Sequence, residues 1–184
     1  STNVSVLPCG IDTDLYTLDE TDVLYPDRSI VVGKIEPRKR QAFLQHKDLN
    51  IDFIGNNTDS SFDELDPHYL GEQSKQDIMD NLTAYASMVL LSSGEAHPFV
   101  CLEGMAAGLG LVLSEQSTAN LDISQPFITV IPDDKLDDTT YLNQKIKENR
   151  KISLTMRKDI RKYCLDNFDW SSIIKQYKSI IDNI

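Results

Sequence analysis

Five short apolar runs, each bounded by a glycine or a proline, constrain this chain more than any other feature. Ile30-Val31-Val32 leads into Gly33, Ile51-Asp52-Phe53-Ile54 into Gly55, and Met88-Val89-Leu90-Leu91 into Ser92-Ser93-Gly94. Leu111-Val112-Leu113 follows Gly110, and Phe127-Ile128-Thr129-Val130-Ile131 stops at Pro132. Runs of this length with β-branched content are what strands buried on both faces look like. Helical patterns fill the gaps. Ser74 with Asp77 forms an acidic variant of the capping box, and Ile78, Leu82, Tyr85 and Ala86 then fall near one helical face. Residues 99–107 are apolar and alanine-rich, with Gly108 placed as a C-cap. The tail predicts helices at about 141–149, 153–166 and 170–182, the last capped by Asp169. Strand–helix alternation with short connections predicts an α/β fold, a Rossmann-like doubly wound parallel sheet. Ligands on such sheets sit beyond the carboxyl ends of the strands. Residues 33–40 and 94–99 therefore belong to one rim, provided their strands are parallel neighbours. The polar, turn-rich stretch 56–67 reads as a surface loop.

At 184 residues the expectation is one domain, spanning 1–184. Eighteen Lys and Arg against 29 Asp and Glu give a net charge of −11, which argues against nucleic acid as a partner. No apolar run approaches the roughly 18 residues of a membrane span. Residues 1–144 carry −16 and residues 145–184 carry +5, so the basic C-terminal helices, 141–184, are a distinct surface. Three options stay open for it: a partner domain, a peripheral membrane contact, or solvent. Cys9, Cys101 and Cys164 share no metal-ligand spacing and form no disulfide framework, which suits a reducing, cytoplasmic setting. Cys101 reads as core packing. His46, His68 and His97 are scattered, and no metal site is expected. The chain opens on Ser1-Thr2-Asn3-Val4 without an initiator Met or a secretory signal, as a cut inside a longer chain would leave it.

Two segments carry candidate chemistry. Gly33-Lys34-Ile35-Glu36-Pro37-Arg38-Lys39-Arg40 puts four bases within seven residues at a strand end. They serve either as a solvated face that offsets the acidic field or as a phosphate clamp, helped by backbone N–H groups at the same rim. The second segment runs from Ser92 to Gly108. It places Glu95 in the loop after a buried strand and Glu103 inside an apolar helix, where a carboxylate needs donors if it is buried. A ligand's hydroxyls could supply them, and a partly exposed helix-rim glutamate is the plainer alternative. A glycosidase acid/base pair is disfavoured, because eight helical residues rise about 12 Å against the roughly 5–9.5 Å of hydrolytic pairs. Dinucleotide and triphosphate glycine loops are absent, and Ser92-Ser93-Gly94 is no nucleophile elbow.

Glu95 and Glu103, separated by seven residues and followed by Gly-Met-Ala-Ala-Gly and a strand, resemble the nucleotide-sugar motif of retaining GT-B glycosyltransferases, family 4 especially. That family typically shows Glu-Gly-x-Pro/Gly and then Leu-Glu-Ala-Met-Ala-x-Gly, which residues 95–108 match closely. In order along the chain, Val6-Leu7-Pro8-Cys9-Gly10-Ile11-Asp12 resembles the interdomain linker (1–16), and residues 30–39 resemble the strand with Gly-Arg-x-x-x-x-Lys. Residues 51–55 and Tyr69-Leu70-Gly71 resemble the next two strands, and residues 84–93 the strand before the glutamate loop.

The resemblance implies the C-terminal, donor-binding half of a GT-B enzyme of polysaccharide or glycoconjugate biosynthesis, and a chain inactive without its acceptor-binding N-terminal domain. Its donor substrate would be a nucleotide-diphosphate sugar, with no cofactor and no metal ion. Lys34, where the family has Arg, and Lys39 would neutralise the diphosphate. Glu103 would accept from the ribose hydroxyls and Glu95 from the transferred sugar, so Glu95, Lys34 and Lys39 form the catalytic set. Gly33 and the backbone around His97, Pro98, Phe99 and Val100 would meet the sugar and distal phosphate, and Gly71, Glu72 and Gln73 would lie beside the base. Ala96 stands where the family usually has Gly. Phe168-Asp169-Trp170 resembles the closing helices that cross toward the other domain. The competing reading is a noncatalytic interaction domain with this fold. A GT-B epimerase or phosphorylase would need catalytic residues that are not identifiable here.

Overall fold

A computed structural model describes residues 8–21 and 23–182. Each of the five apolar runs lies in a strand: β1 (Tyr25–Val32), β2 (Ile51–Ile54), β3 (Tyr85–Leu90), β4 (Gly110–Ser114) and β5 (Ile128–Ile131). They form one sheet in the order β2-β1-β3-β4-β5, and every neighbouring pair is parallel. The order reverses between β1 and β3, where Ile30 pairs with Met88. The crevice beyond the carboxyl ends of these two strands is thus the topological switch point, where ligands of doubly wound sheets bind.

Alternation along the strands sorts the core onto two faces. Ile30, Val32, Met88, Leu90, Leu111 and Leu113 share one face with Leu102 and Met105 of helix α3 (Phe99–Ala106). Val31, Phe53, Val89, Leu91 and Val112 share the other with Ala42 and Leu44 of α1 (Gln41–Gln45). Helix α2 (Lys75–Asn81) begins at Ser74, whose hydroxyl accepts from the Asp77 N–H, as the capping pattern implied. It stops earlier than the apolar pattern suggested. Leu82–Ala84 is a 3₁₀ turn, and Tyr85 and Ala86 already belong to β3.

The tail differs most from expectation. The helices read at 141–149 and 153–166 are one thirty-residue helix, α4 (Thr139–Phe168), followed by α5 (Trp170–Ile181). Leu142 and Ile146 of α4 join one face of the sheet, whereas Ile160, Cys164 and Phe168 join the other. Between them α4 presents buried polar residues to segments that lead into the strands. Asn149 Nδ2 donates to Leu111 O and Phe127 O at 3.0 Å, Arg150 donates to Leu49 O and Asn50 O at 2.7 Å, and Ser153 Oγ accepts from Gly110 N. Arg157 reaches Thr83 O at 2.6 Å and Tyr85 O at 3.0 Å. Burial lowers the pKa of Arg150 to about 10. The carbonyl acceptors account for how these cations are kept inside. The sequence pattern breaks at 150–152, beside this polar stripe, where the helix in fact continues.

Two further expectations change. Tyr69-Leu70-Gly71 is not a strand; only Tyr69 makes a bridge, to Phe53. The segment nevertheless satisfies the outer edge of β2 through Phe53 N to His68 O, Leu70 N to Phe53 O and Gly55 N to Gly71 O. The stretch 56–67 is turn-rich as expected, but it is anchored by Phe62, which is buried edge-on against Phe53 and Tyr69. Of the linker-like segment, residues 1–7 lie outside the described residues. Ile11 bridges to Asp169, whose carboxylate also caps α5 by accepting from Ser171 N.

Candidate donor site at the switch point

Because β1 and β3 are adjacent and parallel, the two chemistry-bearing segments meet. Ser93 N donates to Arg38 O at 2.8 Å, and Arg40 Nη1 donates to Leu91 O at 3.0 Å. Arg38 fastens the junction: its guanidinium donates to Ser92 Oγ and Gly94 O, pairs with Glu36 at 2.8 Å, and lies 3.2 Å from Glu95 Oε1. Burial, the largest single influence, works against the charged guanidinium, but the hydrogen bond to Glu36 and the charges of Glu95 and Glu36 together prevail and raise its pKa. Despite that ion contact, Glu95 Oε1 is buried and has no hydrogen-bond partner among the described residues. Its charge is met by the Arg38 guanidinium, and the carboxylate retains lone pairs for a further donor.

Gly33 has φ +132°, and a Cβ built there would lie 2.9 Å from Lys39 Nζ. The 3₁₀ turn Pro37–Lys39 folds the lysine back over the glycine, so the ammonium sits beside the end of β1. Glu103 lies on α3 with its side chain one-fifth exposed. Tyr16 Oη donates to its Oε1 at 2.9 Å, and Lys75 Nζ is 4.0 Å from the same oxygen. Cys101, in the first turn of α3, is wholly buried. Burial drives its pKa up, Glu95 and Glu103 push the same way, and Lys39 opposes them. The thiol is held protonated as core.

The remaining residues divide into two groups. Gly33, Lys34, Glu72 and Gln73 line a cleft of about 300 Å³ together with Gly55 and Asn56. Neither glutamate of the motif lines this cleft, so Lys34, which is exposed, faces the Glu72 side. Gly71 stands behind the cleft, its carbonyl taken by Gly55 N. At the start of α3, His97 stacks edge-on against the half-exposed Phe99, its Nδ1 is 3.2 Å from Asn120 Nδ2, and its Nε2 is buried with no hydrogen-bond partner among the described residues. The Phe99 N–H donates to His97 O at 2.9 Å, which removes it from the donors expected for a ligand. Pro98, the N-cap residue, supplies no side-chain cap, so no side chain claims the first-turn N–H groups. Tyr16, Lys75 and Arg38 are the residues that sequence reasoning missed. Only Arg38 gave a signal, as one of the four clustered bases.

A larger cleft of about 520 Å³ lies at the opposite end of the sheet, lined by Asp27, Asp48, Asn50, Asn143, Lys147 and Lys151 among others. Its charges alternate in sign, and none of the motif residues reaches it. The rim at β1 and β3 gathers Lys39, Arg38 and both glutamates of the motif, and it is the better site on chemistry in spite of its smaller volume.

No protein-family model and no curated protein sequence matches this chain. Solved structures do match. Sucrose-phosphate synthase from Thermosynechococcus elongatus superposes with a TM-score of 0.70 at 17% identity, over 96% of this chain and 51% of that one. The lipopolysaccharide outer core galactosyltransferase WaaB, in its apo form, gives 0.73 at 15% identity, over 98% and 56%. Anabaena HepE, solved in complex with UDP-glucose, gives 0.64 at 19% identity, over 95% and 56%. This chain spans about half the length of each of these proteins. Its parallel five-stranded Rossmann-like sheet is therefore the fold of one half of such GT-B glycosyltransferases.

Proposed function

We propose that this chain is the C-terminal, donor-binding domain of a family 4-like retaining glycosyltransferase, which takes a sugar from a nucleotide-diphosphate sugar. The observation that carries the reading is the joining of the basic 34–40 loop to the Glu95 loop at the switch point between β1 and β3, through Ser93 N to Arg38 O at 2.8 Å and Arg38 to Glu95 at 3.2 Å. HepE, a neighbour in fold, was solved with UDP-glucose, which makes UDP the first nucleotide to try. When the bond between the anomeric carbon and the phosphate oxygen breaks, negative charge develops on the leaving diphosphate. Lys39 beside Gly33, Lys34 at the cleft and the uncapped start of α3 are positioned to stabilise it. Glu103 accepts from the ribose hydroxyls, and Glu95, held in place by Arg38, accepts from a hydroxyl of the transferred sugar. Gly71, Glu72 and Gln73 flank the base. No general base is assigned, and no metal ion is required to neutralise the leaving group. The acceptor belongs to a second domain, which leaves this half without turnover of its own.

One observation favours a second reading, a noncatalytic interaction domain: Trp170, Ile174, Tyr177 and Ile181 form an exposed stripe along α5. Calorimetric titration of the folded chain with UDP, GDP and ADP separates the two. The donor-site reading expects one nucleotide to bind and Glu103→Ala and Lys39→Ala each to weaken it about tenfold or more, the scale of one charge-assisted contact. Binding of none of the three by a folded sample overturns it in favour of the interaction domain.

A further inference from the structure

Tyr16 is 4% exposed, and its hydroxyl donates to Glu103 Oε1 at 2.9 Å across 87 positions of sequence. Its backbone is fixed from three sides. Tyr16 N donates to Thr13 O, Tyr16 O accepts from Arg161 Nη1 of α4 at 2.6 Å, and the next amide, Thr17 N, donates to Met79 O of α2. The ring is part of the core that also holds Leu102 and Met105, the neighbours of Glu103 on α3. The phenol is therefore a rigid arm that reaches one oxygen of a carboxylate whose side chain is mostly buried and one-fifth exposed. Among the described residues Glu103 Oε2 has no hydrogen-bond partner, and the nearest cation, Lys75, is 4.0 Å away on an exposed side chain.

We infer that Tyr16 is a positioning residue for Glu103, fixing its carboxylate to accept from a vicinal diol of the ligand. The inference rests on the donor-site reading and adds a residue that reading does not contain. A neutral donor suits the task. It holds one lone pair of Oε1 and leaves the carboxylate negative, so Oε2 and the second lone pair of Oε1 stay available for two adjacent hydroxyls. A lysine at the same place would spend the charge. Burial, and then the charge of Glu103, raise the Tyr16 pKa, so the phenol stays a donor at every working pH. Freed of Tyr16, the Glu103 side chain would sample rotamers in which the two oxygens no longer face the diol together, and the cost would fall on diol recognition alone.

The test compares the wild-type chain, Tyr16→Phe, Glu103→Ala and the double variant. Each is titrated with the preferred nucleoside diphosphate among UDP, GDP and ADP and with its 2′,3′-dideoxy counterpart. Phe keeps the ring and its packing, and thermal unfolding checks that the fold is kept. Tyr16→Phe is expected to weaken the ribonucleotide about fivefold, the scale of one hydrogen bond to a charged group, while changing the dideoxynucleotide less than about twofold. In the Glu103→Ala background it is expected to add nothing. Equal weakening of both nucleotides would show a structural role only and overturn the inference, as would unchanged ribonucleotide affinity; in either case the donor-site reading stands. Absence of all nucleotide binding to the wild-type chain would instead remove that reading, and this inference with it.

Discussion

Gly55→Ala tests how closely the backbone at the rim is built. Gly55 ends β2 with φ +150°, and a Cβ there would lie 2.0 Å from Gly33 O and 2.7 Å from Gly33 C. Those are backbone atoms of the loop that carries Lys34 and Lys39, so no side chain can swing aside. To admit a methyl the two loops must part, which strains or breaks Gly33 N to Ile54 O at 2.9 Å and Ile35 N to Asn56 O at 2.8 Å. Backbone strain of about 1–3 kcal/mol and two hydrogen bonds of about 1 kcal/mol each suggest a loss of about 3–5 kcal/mol. Total stabilities run about 5–15 kcal/mol, so the change is large. At an m-value of about 2 kcal/mol/M the urea midpoint should fall by about 1.5–2.5 M. Gly94→Ala is the control, because a Cβ there meets nothing within 4 Å, and it should stay within about 0.5 kcal/mol. A midpoint shift for Gly55→Ala no larger than that of Gly94→Ala would refute the reasoning.

Two further predictions concern how the tail is fastened. Arg157→Met removes donors to Asp19 O, Thr83 O, Thr83 Oγ1, Tyr85 O and Ala107 O, and should cost about 3–5 kcal/mol in urea unfolding, because a thioether leaves buried carbonyls unpaired; a loss below about 1 kcal/mol would mean that water replaces the guanidinium. For Asp169, burial opposes the charge, but hydrogen bonds from Ser171 and Thr13 prevail and hold the carboxyl at about 2, below its ordinary value near 3.9. A depressed pKa stabilises the fold above the ordinary value and is lost as pH falls toward the folded one. The stability gap between wild type and Asp169→Ala, about 1 kcal/mol after solvent screening, should hold at pH 6 and narrow between pH 4 and pH 2. A gap independent of pH would contradict it.

What the sequence disclosed and what it hid follow from the range of the interactions. Strands β1 to β5 were legible because strands buried on both faces read as uninterrupted apolar runs, and Gly33, Gly55 and Pro132 mark their ends. The start of α5 was legible because Asp169 caps locally. The unity of α4 was not, because Asn149, Arg150, Ser153 and Arg157 are buried by satisfying distant strand and loop carbonyls, and a local apolar pattern does not carry across them. Tyr85 and Ala86 extended a helical pattern until pairing of β3 with β1 claimed them. At the rim, Glu95, Glu103 and Lys39 could be found from local motif spacing. Tyr16, Lys75 and the Arg38 clasp could not, since each depends on which strands become neighbours.

The central claim is one of place, that a nucleotide binds at the carboxyl ends of β1 and β3. Mapping amide chemical-shift changes while UDP, then GDP and ADP, are added to the ¹⁵N-labelled chain tests it most directly. The account predicts that shifts cluster at Gly33, Lys34, Lys39, Glu95, Val100 and Glu103. A cluster around Asp48, Asn50, Lys147 and Lys151, which line the larger cleft at the other end of the sheet, would contradict it.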